Sequence, residues 1–409
     1  MDRNINDLIE NAIVLDSHND TLLRVIDDNF KMKIDLGKES NFHIDLLKME
    51  RVGFNIGYFS AFTKELGSFE DNNNKILSLI NALHLTALQN KNKAEIPSDL
   101  NHIKKILNKN KICLVPTIEG AYSINESNYK YLTKQYQDLG IKVIGYVWND
   151  PNELGCGIDE KDLGLTELGI EYTKYLNDLG IIIDTSHMNE KTFYDTINTS
   201  KSPVIASHSS VKSLVDHVRN LTDDQIIKLK ENNGVININF WKKCLNPDQE
   251  AATYIDIVDH IDYVKELVGI DYVGLGSDFD GASMPKGINS CLDLYKIVEN
   301  MQKRKYSEDD IRKVLGLNNL RVIREVEKNK KINLDNNIKI EFDQDNLTFR
   351  VDEDNYNYKI IYDGLVIDEN CKNFKQIKVD KSLFNEKYHV LSLEIEKDNK
   401  ISRYTKIIR

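Results

Sequence analysis

Eight short apolar runs, each rich in β-branched residues, recur between residues 12 and 278 of this 409-residue chain. They fall at 12–17, 52–60, 112–120, 141–148, 180–186, 203–209, 234–240 and 272–278, and longer segments with helical spacing separate them. Runs this continuous in apolar residues suit strands that crossover helices bury on both faces. The segment "LTELGIEYTKYLNDLG" (165–180) puts Leu168, Tyr172, Tyr175, Leu176 and Leu179 along one side, with Thr166 as N-cap and Gly180 as stop. "TDDQIIKLKENNG" (222–234) repeats the device with Thr222 and Gly234. Alternating strands and helices of this number predict an α/β chain with a (β/α)8 TIM-type barrel, a doubly wound open sheet being the alternative. Both folds place ligands beyond the carboxyl ends of the strands.

Past residue 331 the texture changes. "NLTFRV", "YNYKIIY", "YHVLSLEIE" and "ISRYTKII" alternate apolar and polar residues between Asp/Asn/Gly/Lys turns, as half-exposed antiparallel strands do. We therefore expect two domains, a barrel over 1–331 and a small all-β sheet or sandwich over 332–409 packed on it. The second has few histidines and no acid–histidine cluster, which points to a structural or interaction role.

Composition narrows the partners. With 41% hydrophobic residues and 6 prolines the chain can bury a sizeable core. A net charge of -11, with no free-standing Lys/Arg cluster, argues against nucleic acid or an anionic membrane as partner. Cys113, Cys156, Cys244, Cys291 and Cys371 show no paired short spacing, as in a reducing compartment. The start "MDRNINDLIENAIV" lacks a signal-peptide pattern and no run is long enough to span a membrane, so a cytoplasmic protein is expected.

Residues at the ends of the apolar runs form a short list. His18 and Asp20 follow the first run, Glu119 ends the third, His187 the fifth, His208 the sixth and Asp278 the eighth. In a barrel all six share one rim. Imidazoles and carboxylates converging there need a cation to hold them, and the mixture fits zinc, with cobalt or manganese as alternatives. Each has an ordinary alternative: a turn for His-x-Asp, a first-turn acid for Glu119, a capping loop for His187 and space-filling for His208. The joint pattern favours a site. His43, His84, His102, His217, His260 and His389 lack such company and read as surface or packing residues.

The segments "DSHNDTL", "PTIEGAYSI", "GLTELG", "IIIDTSHMNE", "PVIASHSS", "HVRNLTDDQI" and "VGLGSDFDG" occur in one order over residues 10–328. In these motifs the chain closely resembles the membrane dipeptidase (renal dipeptidase-like) family of metal-dependent amidohydrolases. The resemblance implies a dipeptide-cleaving enzyme with two divalent metal ions, zinc first among them. His18 and Asp20 would bind one ion, His187 and His208 the other, and Glu119 both. Asp278 would handle the proton of the attacking water, and Arg219 would hold the substrate's terminal carboxylate. Arg219 could instead form a helix-end salt bridge to Asp223 or Asp224. The resemblance also implies a homodimer and a tolerance for a D-residue on the carboxyl side. It leaves 332–409 unexplained.

One position departs from the family pattern. Aligning "GIKVIGYVWNDPN" by Gly140 puts Trp148 where the family's animal members carry a histidine. Tryptophan donates one N–H and cannot ligate a metal. Either Trp148 shapes the pocket, or Asn149 or Asn152 supplies a donor to the substrate. Two other functions stay open: hydrolysis of N-acyl-D-amino acids on the same scaffold, and an inactive barrel serving as a binding module.

Overall fold

The computed structural model describes residues 3–160, 162–332, 338–344, 346–352, 356–370, 376–380, 385–398 and 400–409. All eight apolar runs form parallel strands: β1 (Val14–Asn19), β2 (Phe54–Phe62), β3 (Ile112–Glu119), β4 (Val143–Gly145), β5 (Ile182–Asp184), β6 (Ile205–Ala206), β7 (Val235–Asn239) and β8 (Val273–Gly276). Their order is β2-β1-β8-β7-β6-β5-β4-β3, and pairing of β2 with β3 closes the barrel. A two-residue strand, Ala94–Glu95, adds to the outside of β3.

Several strands are much shorter than their apolar runs, two of them at the rim's Trp148 and His208. The runs at 141–148 and 203–209 keep only three and two residues in the ladder. Their remaining residues leave the sheet to build the rim: Trp148 and His208 both lie beyond the last paired residue. The helices follow the sequence signals closely. Thr166 Oγ1 accepts from Gly169 N, and Gly180 ends that helix in the left-handed region at φ 71°. Thr222 and Gln225 form a reciprocal capping box at the start of Asp223–Glu231.

Inside the barrel, alternation grades the environment. Inward residues of β2 run Ile56, Tyr58, Ser60, Phe62, and those of β3 run Cys113, Val115, Thr117, Glu119. The lower ones join Leu15, Val143, Ile182, Ile205 and Val235 in an apolar plug, closed by Leu320, Ile323 and Val326 of the helix Asn318–Asn329. Polarity gathers as the strands near their carboxyl ends, although Asn237 in the middle of β7 is buried and accepts from Asn319 of the closing helix.

The C-terminal region is antiparallel. A three-stranded sheet holds β9 (Ile340–Asp343), β10 (Thr348–Val351) and β13 (Gln376–Lys378); a four-stranded sheet holds β11 (Asn357–Tyr362), β12 (Leu365–Asn370), β14 (His389–Lys397) and β15 (Lys400–Ile408). Phe349, Tyr358, Ile360, Ile377, Leu393 and Ile395 belong to one apolar core shared by both sheets. The four-stranded sheet docks on two barrel helices, Phe69–Gln89 and Tyr129–Asp138. Buried Gln135 donates to Ile361 O, Val390 O and Ser392 Oγ and accepts from Gly364 N, so a barrel side chain is satisfied wholly by the β domain. His389 lies buried against Asp363 at 2.6 Å, a pairing across 26 positions that was not apparent in the sequence. Cys113, Cys156, Cys244 and Cys291 are buried free thiols, while Cys371 lies outside the described residues. Among the described residues no helix is long and apolar enough to cross a membrane.

Candidate active site

The carboxyl ends of the strands bring together all six run-end residues. His18 sits inside β1 rather than after it, because the strand continues to Asn19, and Asp20 follows. Glu119 is the last residue of β3, whereas His187, His208 and Asp278 lie just beyond β5, β6 and β8. His187 and Asp278 have φ of 68° and 58°. These are sparsely populated left-handed conformations for residues with side chains, and such local strain clusters at functional sites.

Glu119 is the centre. Its Oε2 lies 3.3 Å from His18 Nε2, and its Oε1 lies 3.0 Å from His187 Nε2 and 3.7 Å from His208 Nε2. Asp20 Oδ2 is 3.8 Å from His18 Nε2. Two overlapping clusters share Glu119, His18–Asp20–Glu119 and Glu119–His187–His208, and a third group, His18–Asp184–His208, links their imidazoles; the ligand atoms of each lie within 4.8 Å of one another. The His18 and His208 rings stack with centroids 3.7 Å apart.

Burial makes this cluster costly as it stands. It opposes charge on Glu119, yet His18 and His187 hold that carboxyl well below the usual range. Burial likewise opposes protonation of His18, but Glu119 and Asp20 outweigh it and push the imidazole well above its ordinary value. His187 is pushed down to about 4 by burial and by the charge of Arg219. Asp278 is raised to about 7, first by burial, with Asp20 and Glu119 adding to the effect. His18 Nε2 and Asp20 Oδ1 are buried without a hydrogen-bond partner among the described residues. Buried polar atoms are nearly always paired. Lone pairs left unpaired and aimed at shared centres are what divalent cations require, so these residues fit a pair of metal ions.

A surrounding layer orients the imidazoles. An amide oxygen only accepts, so at 2.9 Å His187 Nδ1–H must donate to Asn149 Oδ1, leaving Nε2 unprotonated and facing Glu119. Ser207 Oγ donates to Asp184 Oδ2 and accepts from His208 Nδ1 at 2.8 Å, which fixes the same tautomer there. Asp184 also accepts from the backbone N–H groups of Ser186 and Ser207. Ser60 Oγ donates to Glu119 Oε2 at 3.2 Å, and Asn239 Nδ2 to Asp278 Oδ2 at 3.2 Å. Sequence reading missed Asp184, Ser60 and Ser207. Asp184 carried the same signal as the others, a carboxylate at the end of an apolar run; the two serines carried none.

The remaining candidates take distinct places. Arg219 is buried and donates to His208 O at 3.3 Å, with no ion pair among the described residues. Asp223 and Asp224 instead accept from Ser213 and Tyr263, and from Tyr194. With His187, Met188, Ser209 and Thr222, Arg219 lines a cavity of about 280 Å³. Trp148 stands between Phe62 and His187, its ring centroid 5.4 Å and 6.0 Å from theirs. Asn152 turns away into its own loop, donating to Tyr146 O and accepting from Leu154 N.

A family model, "Membrane dipeptidase (Peptidase family M19)", matches residues 2–336. An uncharacterised dipeptidase of Schizosaccharomyces pombe is 30% identical over 78% of this chain and 82% of its own. Dipeptidase tcpJ of Claviceps purpurea is 29% identical over 76% of each chain. Among solved structures, a metallo peptidase from Rhodobacter sphaeroides, liganded with a phosphinate mimic of the dipeptide L-Ala-D-Ala, is similar at a TM-score of 0.70. It is 25% identical, and the match covers 77% of this chain and all of that one.

Proposed function

The chain belongs to the membrane dipeptidase family, peptidase family M19, and from that premise we propose how its rim cluster cleaves the amide bond of a dipeptide. His18 and Asp20 would hold one divalent ion and His187 and His208 a second, with Glu119 as the residue common to both groups. The observation that carries this reading is the split geometry of Glu119: Oε2 toward His18, Oε1 toward His187 and His208. When bound, two zinc or similar ions acidify a water and polarise the scissile carbonyl.

The chain's own residues do the rest. Asp278, poised near 7 and held by Asn239, takes the proton of the attacking water and returns it to the departing amine. Arg219 binds the substrate's terminal carboxylate: a buried guanidinium without an ion pair is costly until an anion meets its fork. The same contact measures length and favours dipeptides over longer peptides. Trp148 walls the pocket, and its indole N–H makes no hydrogen bond among the described residues, leaving it for the substrate. One such donor toward a developing oxyanion is worth about 3–4 kcal/mol. Asn149 acts through His187, and Asn152 supports the loop that carries both.

From the Rhodobacter sphaeroides peptidase we carry over the substrate class, a dipeptide with a D-residue on its carboxyl side. Residues 1–331 form the hydrolase and 332–409 the appended β domain; a cytoplasmic location accords with the buried free thiols, and a homodimer is the assembly the family resemblance implies. The test is a panel of L,L- and L,D-dipeptides against N-acyl-D-amino acids, run on metal-stripped and metal-restored protein. Restored cleavage of dipeptides supports the reading. Cleavage of N-acyl amino acids alone would move the activity elsewhere in the superfamily, and near-zero metal uptake would favour an inactive binding module.

A further inference from the structure

Two cations face each other across the barrel mouth. Arg219 comes from the segment after β6, and β6 lies four strands from β2 in either direction around the eight-stranded barrel. On the β2 side the cation is Lys75, from the helix Phe69–Gln89 that follows the strand. Ser60 reaches inward to Glu119, so alternation turns Phe62 inward one layer higher, where its backbone is in register with Glu119 itself. The Lys75 ammonium sits 4.8 Å from the centroid of the Phe62 ring, and Phe62 meets Trp148 edge-on. Lys75 thus stands at the mouth, on the wall that Trp148 continues toward His187.

Lys75 is half-buried, and its ammonium makes no hydrogen bond or ion pair among the described residues. Burial, with the neighbouring charge of Lys64, lowers its pKa, and the charges of Asp20 and Glu119 partly restore it, which places the ammonium within electrostatic reach of that half of the cluster. Glu70 and Asp71 on its own helix are engaged by Lys387. Asp20 and Glu119 are committed to the metal site in the reading above, so the ammonium has no anion of its own. An aromatic ring compensates only part of its desolvation.

We propose that Lys75 is a specificity residue that selects dipeptides whose amino-terminal residue carries an acidic side chain, an inference that rests on the dipeptidase reading. With the terminal carboxylate at Arg219 and the amide over the metal cluster, the amino-terminal residue extends toward β2. Its side chain then meets Phe62 and the Lys75 ammonium. An Asp or Glu side chain supplies the missing anion; a Lys side chain meets like charge.

The experiment compares kcat/KM for L-Glu-D-Ala, L-Ala-D-Ala and L-Lys-D-Ala on the metal-replete enzyme. The wild type should prefer the glutamyl over the lysyl substrate by about tenfold or more, less so in high salt. Lys75→Arg should keep the preference, Lys75→Met should reduce the ratio to about twofold or less, and Lys75→Glu should invert it. The wild-type ratio needs no variant to fold, and a ratio near one would by itself overturn the inference. An unchanged ratio in Lys75→Met, with L-Ala-D-Ala still cleaved, would also overturn it while leaving the dipeptidase reading intact. Failure of the metal-replete enzyme to cleave any of the three would bring down both.

Discussion

The buried charged side chains at the β-domain junction and those at the barrel rim differ in whether their members are satisfied. Where the β domain docks, Arg403 reaches Asp138 Oδ1 at 2.9 Å and Glu394 at 3.1 Å, while Thr405 also donates to Asp138. Every one of those contacts closes within the protein. At the rim, Glu119, Asp20 and three imidazoles converge as tightly, yet His18 Nε2 and Asp20 Oδ1 are left without hydrogen bonds. A closed network holds two structural units together; an open one, with lone pairs on shared centres, is built to receive something.

That contrast can be broken by substitution. Glu119→Gln removes the charge that both halves of the rim share, so metal content and dipeptidase activity should fall together, activity by roughly 10³-fold. Elemental analysis alongside kinetics checks this, and a fully metallated, fully active variant would end the bridging role. Asp138→Ala should act on the other cluster in the opposite sense. It takes the Asp138 carboxylate away from buried Arg403 and should cost about 3 kcal/mol of unfolding free energy in denaturant titration. Activity per folded molecule should survive, and loss of metal in this variant would erase the distinction between the two clusters.

Finer changes sharpen it. Asn149→Ala frees His187 Nδ1 to rotate and change tautomer, so metal affinity should weaken about 10–100-fold in competition with a chelator. Thr166→Ala removes a helix cap on the barrel's outer layer together with the hydroxyl's bond to Glu153 O, and a loss of about 1 kcal/mol with unaltered metal content is expected.

Much of this was legible because parallel barrel strands, buried on both faces, read as apolar runs without any need for long-range information. Their ends were less legible. Nothing local distinguishes Ile144, which pairs in a ladder, from Trp148, which leaves it to line the pocket. The polar "DSHN" tail reads as a turn that puts His18 just outside its strand, although β1 runs through it. The candidate ligands stand out in the sequence as acids and imidazoles at run ends. The residues that aim them were not, since Ser207 and Asp184 meet only because β5 and β6 are neighbours, across 23 positions. The left-handed backbone at His187 and Asp278 left no trace in residue type either. Lys75 shows the same limit from another side, since an isolated lysine on an amphipathic helix signals nothing until the strand before it is known to turn Phe62 inward.

The central claim is that the rim holds two divalent ions and that both are needed to cleave a dipeptide. Titration of metal-stripped protein with zinc, following bound metal and hydrolysis of L-Ala-D-Ala in the same samples, tests it most directly. Activity should be absent in the stripped protein and reach its plateau only as the second ion per chain binds. Hydrolysis that persists without metal, or that is complete with a single ion bound, would contradict it.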